Sequence, residues 1–131
     1  MKVAYVDSSV LVAIAFGEKG YRKQVKRLQA YDRLVSSNLL EAELSSALVR
    51  EDVSVDPGGL LSHLDWLFPH RPLTPEYSRV LDCGYVRGAD LWHLACALFL
   101  SPGPEDISFV TLDHRQRTVA LALGFAENCD P

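Results

Sequence analysis

Cysteine is scarce in this chain, and the three present, Cys83, Cys96 and Cys129, are an odd number without close pairing. That argues against a disulfide framework and leaves no C-x-x-C zinc motif; the expectation is reduced thiols, two in helices and one near the end. Long apolar runs are missing too, with nothing near the roughly 18 uninterrupted apolar residues of a membrane span. The N-terminus lacks the basic start, long apolar run and small-residue cleavage site of a signal peptide. A soluble cytoplasmic protein with no membrane partner is expected. Positive charge is also in short supply: 13 Lys and Arg stand against 17 Asp and Glu, a net charge of −4. This argues against a protein that coats nucleic acid by bulk charge. It leaves room for a metal-dependent nuclease, which carries its own acidic cluster; setting four carboxylates aside makes the remainder neutral.

What is present is an apolar content of 48% in 131 residues, enough for one domain with a real core, spanning 1–131. Lys2 to Val6 reads as a short apolar strand, and Ser8 or Ser9 as the cap of a helix running through Val10 to about Phe16 before Gly17. A second helix covers about Lys19 to Ala30, and Leu34 to Ser36 is a brief strand. Asn38 and Glu41 have the spacing of a capping box opening a helix to about Glu51. "SVDPGG", 54–59, is a turn, Leu60 to Phe68 a helix, "PHRPLTP" a short extended segment bounded by prolines, and Glu76 to Tyr85 another helix. Gly88 breaks the pattern before "ADLWHLACALFL", a helix apolar nearly all round and therefore central. After the loop "SPGPED", Ile107 to Leu112 is the second clear strand, followed by a helix from about His114 to Leu123. No repeat or low-complexity tract occurs.

Strands alternating with helices, and too apolar to have one wet face, predict a three-layer α/β/α sandwich with a central parallel sheet, Rossmann-like in architecture. Ligands in such folds bind beyond the carboxyl ends of the strands. Both clear strands end alike, one running into Asp7 and the other into Asp113. Either aspartate could be a helix cap, although Ser8 or Ser9, which follow immediately, are better placed than Asp7 for that task. In "GADLWHLACALFL" the polar side chains are Asp90 and His93, on one face at the N-terminal end. A carboxylate on a buried apolar helix should be paired, protonated or metal-bound, so Asp90 is read as functional. The alternative for it is dipole complementation. His93 is read as a satisfied core histidine. Glu41 and Glu43 flank the apolar stripe of the third helix on opposite sides; Glu41 already has the capping role, so Glu43 is chosen. Asp7, Glu43, Asp90 and Asp113 are then an oxygen-rich set suited to one or two Mg²⁺ or Mn²⁺ ions.

"YVDSSVLVAIAF", "SSNLLEAELSSALVR", "RGADLWHLACALF" and "FVTLDHRQRTVALALGF" resemble the four motif blocks of PIN-domain ribonucleases. The length resembles the toxin half of a VapBC-type toxin–antitoxin pair. The resemblance places Asp7, Glu43, Asp90 and Asp113 at the family's four acids, catalytic and metal-binding, and Ser9 and Thr111 at its supporting hydroxyls. Leu40 departs from the family's usual Ser or Thr, and residues 52–75 match nothing in particular. It implies metal-assisted hydrolysis of RNA phosphodiester bonds, a homodimer, and inhibition by a small VapB-type antitoxin whose inserted segment often carries an arginine. For RNA contact the residues offer Lys19, Arg22, Lys23, Lys26 and Arg27, spaced along one helical face, with Tyr21, Val25 and Leu28 as the buried stripe. An ordinary solvated face is the alternative. Arg87, Arg115 and Arg117 are further phosphate contacts. Leu11, Ile14 and Phe16 could meet a second copy or an antitoxin, core packing being preferred. Two rival classes begin with Asp after a first strand. Haloacid-dehalogenase-type phosphatases need a second Asp where Ser9 stands, and receiver domains need an acidic pair where Asp7 stands alone. A catalytically inert PIN-like binding module is the remaining alternative.

Overall fold

The first strand of the chain alternates between two cores. In the computed structural model, which describes residues 1–126, β1 (Val3–Val6) turns Ala4 and Val6 toward one apolar cluster and Tyr5 toward another. That alternation is what a strand covered on both faces requires. The first cluster holds Val10 and Leu11 of α1 (Ser8–Phe16), Leu28 of α2 (Tyr21–Gln29) and Leu40, Leu44 and Leu48 of α3 (Leu39–Arg50). The second holds Val80 of α5 (Thr74–Cys83), Leu94 and Leu98 of α6 (Gly88–Leu100) and Val119 and Leu123 of α7 (His114–Leu123). Between these layers lies a four-stranded sheet in the order β3-β2-β1-β4, parallel throughout, with β2 (Arg33–Ser37), β3 (Leu64–Leu67) and β4 (Ser108–Val110). The expected α/β/α sandwich is observed. Among the described residues no helix is long and apolar enough to cross a membrane.

The largest departure is the segment from Leu60 to Phe68. It is not a helix: a single turn, α4 (Gly58–Leu61), gives way to β3, which pairs with β2 through Leu34↔Leu64 to Ser37↔Leu67. Leucines at 60, 61, 64 and 67 carry a helical period, but the open edge of β2 is satisfied only by a strand. Arg33 and Asp65 add an ion pair across that edge. "PHRPLTP" holds no strand; buried Leu73 leads into α5 at Thr74, with Pro75 in the first turn, where a missing N–H is harmless. Gly88 opens α6 rather than interrupting it. The capping box is absent as well, since Asn38 is itself helical and makes no side-chain cap bond, while Glu41 is exposed. Ser8 and Ser9 are not the cap of α1; Asp7 is, accepting from the Ser9 N–H. Cys83 is exposed and Cys96 buried, and Cys129 lies outside the described residues.

Gly17 ends α1 in the left-handed region at φ 62°, its N–H reaching the carbonyls of Ala13 and Ile14. Nothing lies within 4 Å of the position a Cβ would take, so a side chain there meets only backbone strain. Gly17→Ala is expected to lower unfolding free energy by about 1 kcal/mol in urea titration. Gly88→Ala, also in open space but without positive φ, should match or slightly exceed the parent.

Candidate active site

The carboxyl ends of the adjacent strands β1 and β4 are where the chain gathers its acids. Asp7 follows β1 directly; its N–H bonds Val110 O at 2.9 Å, extending the β1–β4 pairing one residue further. Its backbone is extended, which lets the side chain fold back over the start of α1, and Oδ2 accepts the Ser9 N–H at 3.1 Å. The carboxylate is only 3% exposed. A buried carboxylate needs donors, and Gln116, fully buried on α7, supplies its Nε2 to Asp7 Oδ1 at 3.4 Å and to the Asp90 carbonyl at 3.5 Å. Thr111, the residue after β4, orients that amide: its Oγ1 lies 2.7 Å from Gln116 Oε1 and 3.3 Å from Asp7 Oδ2. Ser9 Oγ lies 3.3 Å from Thr111 Oγ1 and accepts the Leu112 N–H at 3.0 Å. The two hydroxyl residues singled out in the sequence thus meet each other beside Asp7.

Asp113 caps α7, taking the Gln116 N–H on Oδ1 at 2.8 Å, and is exposed. Both aspartates that follow strands are therefore helix caps as well as members of the acidic group. Asp90 sits in the first turn of α6, where the helix dipole favours a negative charge. Its carboxyl is nonetheless pushed up from 3.8 to about 6, first by burial, then by the charges of Asp7 and Asp113, with Glu43 adding to them and His93 opposing. The four sequence-selected acids are in electrostatic contact around Asp90. Glu43 reaches over from α3, on the other helical layer, to place Oε1 2.6 Å from His93 Nε2. His93 is a satisfied core histidine, as read from the sequence, but it also lies 3.9 Å from Asp7 and so belongs to the site.

The basic stripe fares differently. α2 begins at Tyr21, leaving Lys19 outside it, and Arg27 is buried with Nη1 on Gln24 Oε1 at 3.1 Å. Arg27 is therefore not on a solvent face. The helix leads into Arg33, which pairs with Val3 at the opposite end of the strands from Asp7, so the last turn of α2, with Lys26 and Arg27, runs toward the end of the sheet away from the acids. Arg22, Lys23 and Lys26 are exposed. Arg87 at the start of α6 and Arg115 on α7 are exposed beside the acids, Arg115 standing 5.9 Å over the ring of Tyr85; Arg117 is half-buried. Leu11 is core, with Ile14 and Phe16 partly buried, bearing out packing as their use. A cavity of about 390 Å³ remains beside Leu11, Ile14 and Leu28.

A scan against protein families matches residues 4–121 to the PIN domain. The chain belongs to the PIN-domain family. The match runs from within β1 to the last turn of α7 and so includes all four acids. PIN domains are generally nucleases, which places the chain among hydrolase-type folds and sets aside the phosphatase and receiver classes. No curated protein and no solved structure matches the chain. Members of the family typically use divalent metals, and the donor set here is the right one in kind. Carboxylate oxygens suit hard cations, and the raised Asp90 marks uncompensated negative charge that a cation would relieve. Among the described residues no three His, Cys, Asp or Glu side chains are closed up as a ready metal cage. A small cation that keeps several waters needs fewer protein ligands than that.

With no cation present, the Asp90 carboxyl holds its proton more tightly folded than at its ordinary 3.8, so its charge opposes folding above about pH 6 and the penalty fades as pH falls toward 4. In EDTA, Asp90→Asn should melt several degrees above the parent at pH 8 and level with it near pH 4. A gap that stays constant with pH would remove the charge from the explanation.

Proposed function

We propose that the chain is a metal-dependent endoribonuclease of the cytoplasm, the toxin half of a VapBC-type pair. The observation that carries the nuclease reading is the convergence of Asp7, Glu43, Asp90 and Asp113 on the carboxyl edge of the sheet, with Asp90 raised by burial and then by the charges of the other three. These four are the residues that would hold Mg²⁺ or Mn²⁺, as one or two ions. Such a cation, when bound, supplies an acidified water and positive charge for the leaving oxygen. The chain's own part is to hold, orient and admit. Ser9, Thr111 and Gln116 fix Asp7, and Asp113 caps α7 through Oδ1. No side-chain nucleophile is required.

The RNA strand finds its contacts around the acids. A groove of about 470 Å³ opens beside Glu43 between α1 and α3, lined by Ser8, Ser9, Ser46 and Arg50. On the other flank, Arg87 and Arg115 offer phosphate contacts and Tyr85, 67% exposed, a face for base stacking. The finer reading, a homodimeric toxin silenced by a VapB-type antitoxin, is supported by the order of the four motif blocks over a chain of this length.

Purified protein incubated with end-labelled structured RNA should cut it in Mn²⁺ or Mg²⁺ and not in EDTA, and Asp7→Asn should lower cutting by at least about 100-fold. No cutting together with no cation-induced rise in Tm would replace the enzyme with an inert binding module. Arg87→Gln and Arg115→Gln should each reduce the log–log salt slope of RNA binding by about 0.7, the value of one phosphate contact on a single strand. Lys26→Gln should leave the slope unchanged; the reverse pattern would return the RNA to α2.

A further inference from the structure

Glu43 is the acid whose support comes from furthest away. Tyr5, buried in β1, accepts the Ser37 N–H at 3.2 Å, and its hydroxyl, 2.8 Å from His93 Nδ1, is placed to donate its proton there. Nδ1 of His93 is therefore an acceptor, and in a neutral ring the proton must then lie on Nε2. Nε2 is the atom 2.6 Å from Glu43 Oε1. We infer that His93 is a positioning residue for Glu43, donating from Nε2 in a tautomer that Tyr5 selects, and that it holds this carboxylate toward Asp7 and Asp90 before any cation arrives. The ring edge of His93 also meets Tyr5 in a T-shaped contact at 5.8 Å, which restricts its rotation.

The alternative within the geometry is poorer. With the proton on Nδ1, the ring would present a lone pair to the Glu43 carboxylate at hydrogen-bond distance, and two acceptors would face each other. The inference deepens the nuclease reading and rests on it in one respect only, the assignment of Glu43 as a ligand. The tautomer stands or falls independently.

The test joins a spectroscopic and a binding measurement. In ¹⁵N-labelled metal-free protein, ring-nitrogen shifts of His93 should report Nε2–H, and Tyr5→Phe should convert the signal to a mixture of tautomers. Mn²⁺ affinity by calorimetry should fall about 10-fold in His93→Leu, in line with loss of a residue that orients a ligand. His93→Gln, whose amide can both accept from Tyr5 and donate to Glu43, should recover most of the loss. In a Glu43→Gln background, His93→Leu should add nothing further. An Nδ1–H signal in the parent protein overturns the inference, as does Mn²⁺ affinity that His93→Leu leaves unchanged or lowers equally in the Glu43→Gln background. Failure of the parent to bind Mn²⁺ while showing the Nε2–H signal overturns the cation reading of the site and, with it, the ligand-positioning role.

Discussion

Keeping a carboxylate out of water at the end of a central strand is the constraint on which the rest of this site depends. Asp7 cannot be buried unless donors surround it, and each donor fixes a different element. The Ser9 N–H ties it to the first turn of α1, and Gln116 ties it to α7 and to the α6 backbone. Thr111, just past β4, keeps the Gln116 amide the right way round by occupying its oxygen. Two strands, three helices and both supporting hydroxyls are therefore positioned by one side chain. The electrostatic consequence is felt at Asp90, whose carboxyl is raised by burial first and by the charge of Asp7 next, although it sits at a helix N-terminus.

Much of this was legible because the relevant signals are local. The apolar runs of β1 and β4 end in aspartates, and α6 carries a carboxylate on an otherwise apolar helix; both patterns follow from burial and need no tertiary knowledge. Features that arise from partners far away in sequence were not legible. β3 is a strand because β2 has an open edge, although its leucines carry a helical period. Glu43 was chosen over Glu41 on a capping box that does not form; the physical reason it faces the site is His93, 50 residues further on. Gln116 was passed over, yet its place three residues after Asp113, on the same face of α7, was a usable signal. Arg27 was counted with the solvent-facing cations because spacing alone does not reveal which rows of a short helix are covered.

The two helical layers pack on opposite faces of the sheet, and the His93–Glu43 bond is a side-chain link between them. Glu43 comes from the layer packed on Ala4 and Val6, and His93 from the layer packed on Tyr5. β1 thus governs both acids, Asp7 by carrying it and Glu43 through the Tyr5 hydroxyl. Leu40 fits the same scheme, being fully buried between α3 and the sheet where the family usually has a hydroxyl, so this turn of α3 is anchored by packing instead.

One feature of these hydrogen bonds bears on coordination number. Glu43 has Oε1 committed to His93, and Asp113 has Oδ1 committed to the N–H of Gln116, so each presents one uncommitted oxygen. A carboxylate in that condition favours one-handed rather than chelating attachment. Large, seven- or eight-coordinate cations such as Ca²⁺ draw on chelating carboxylates, whereas a small octahedral ion is content with single oxygens and retained waters. If a cation binds as proposed, the same contacts that keep the acids in place would favour the smaller ion.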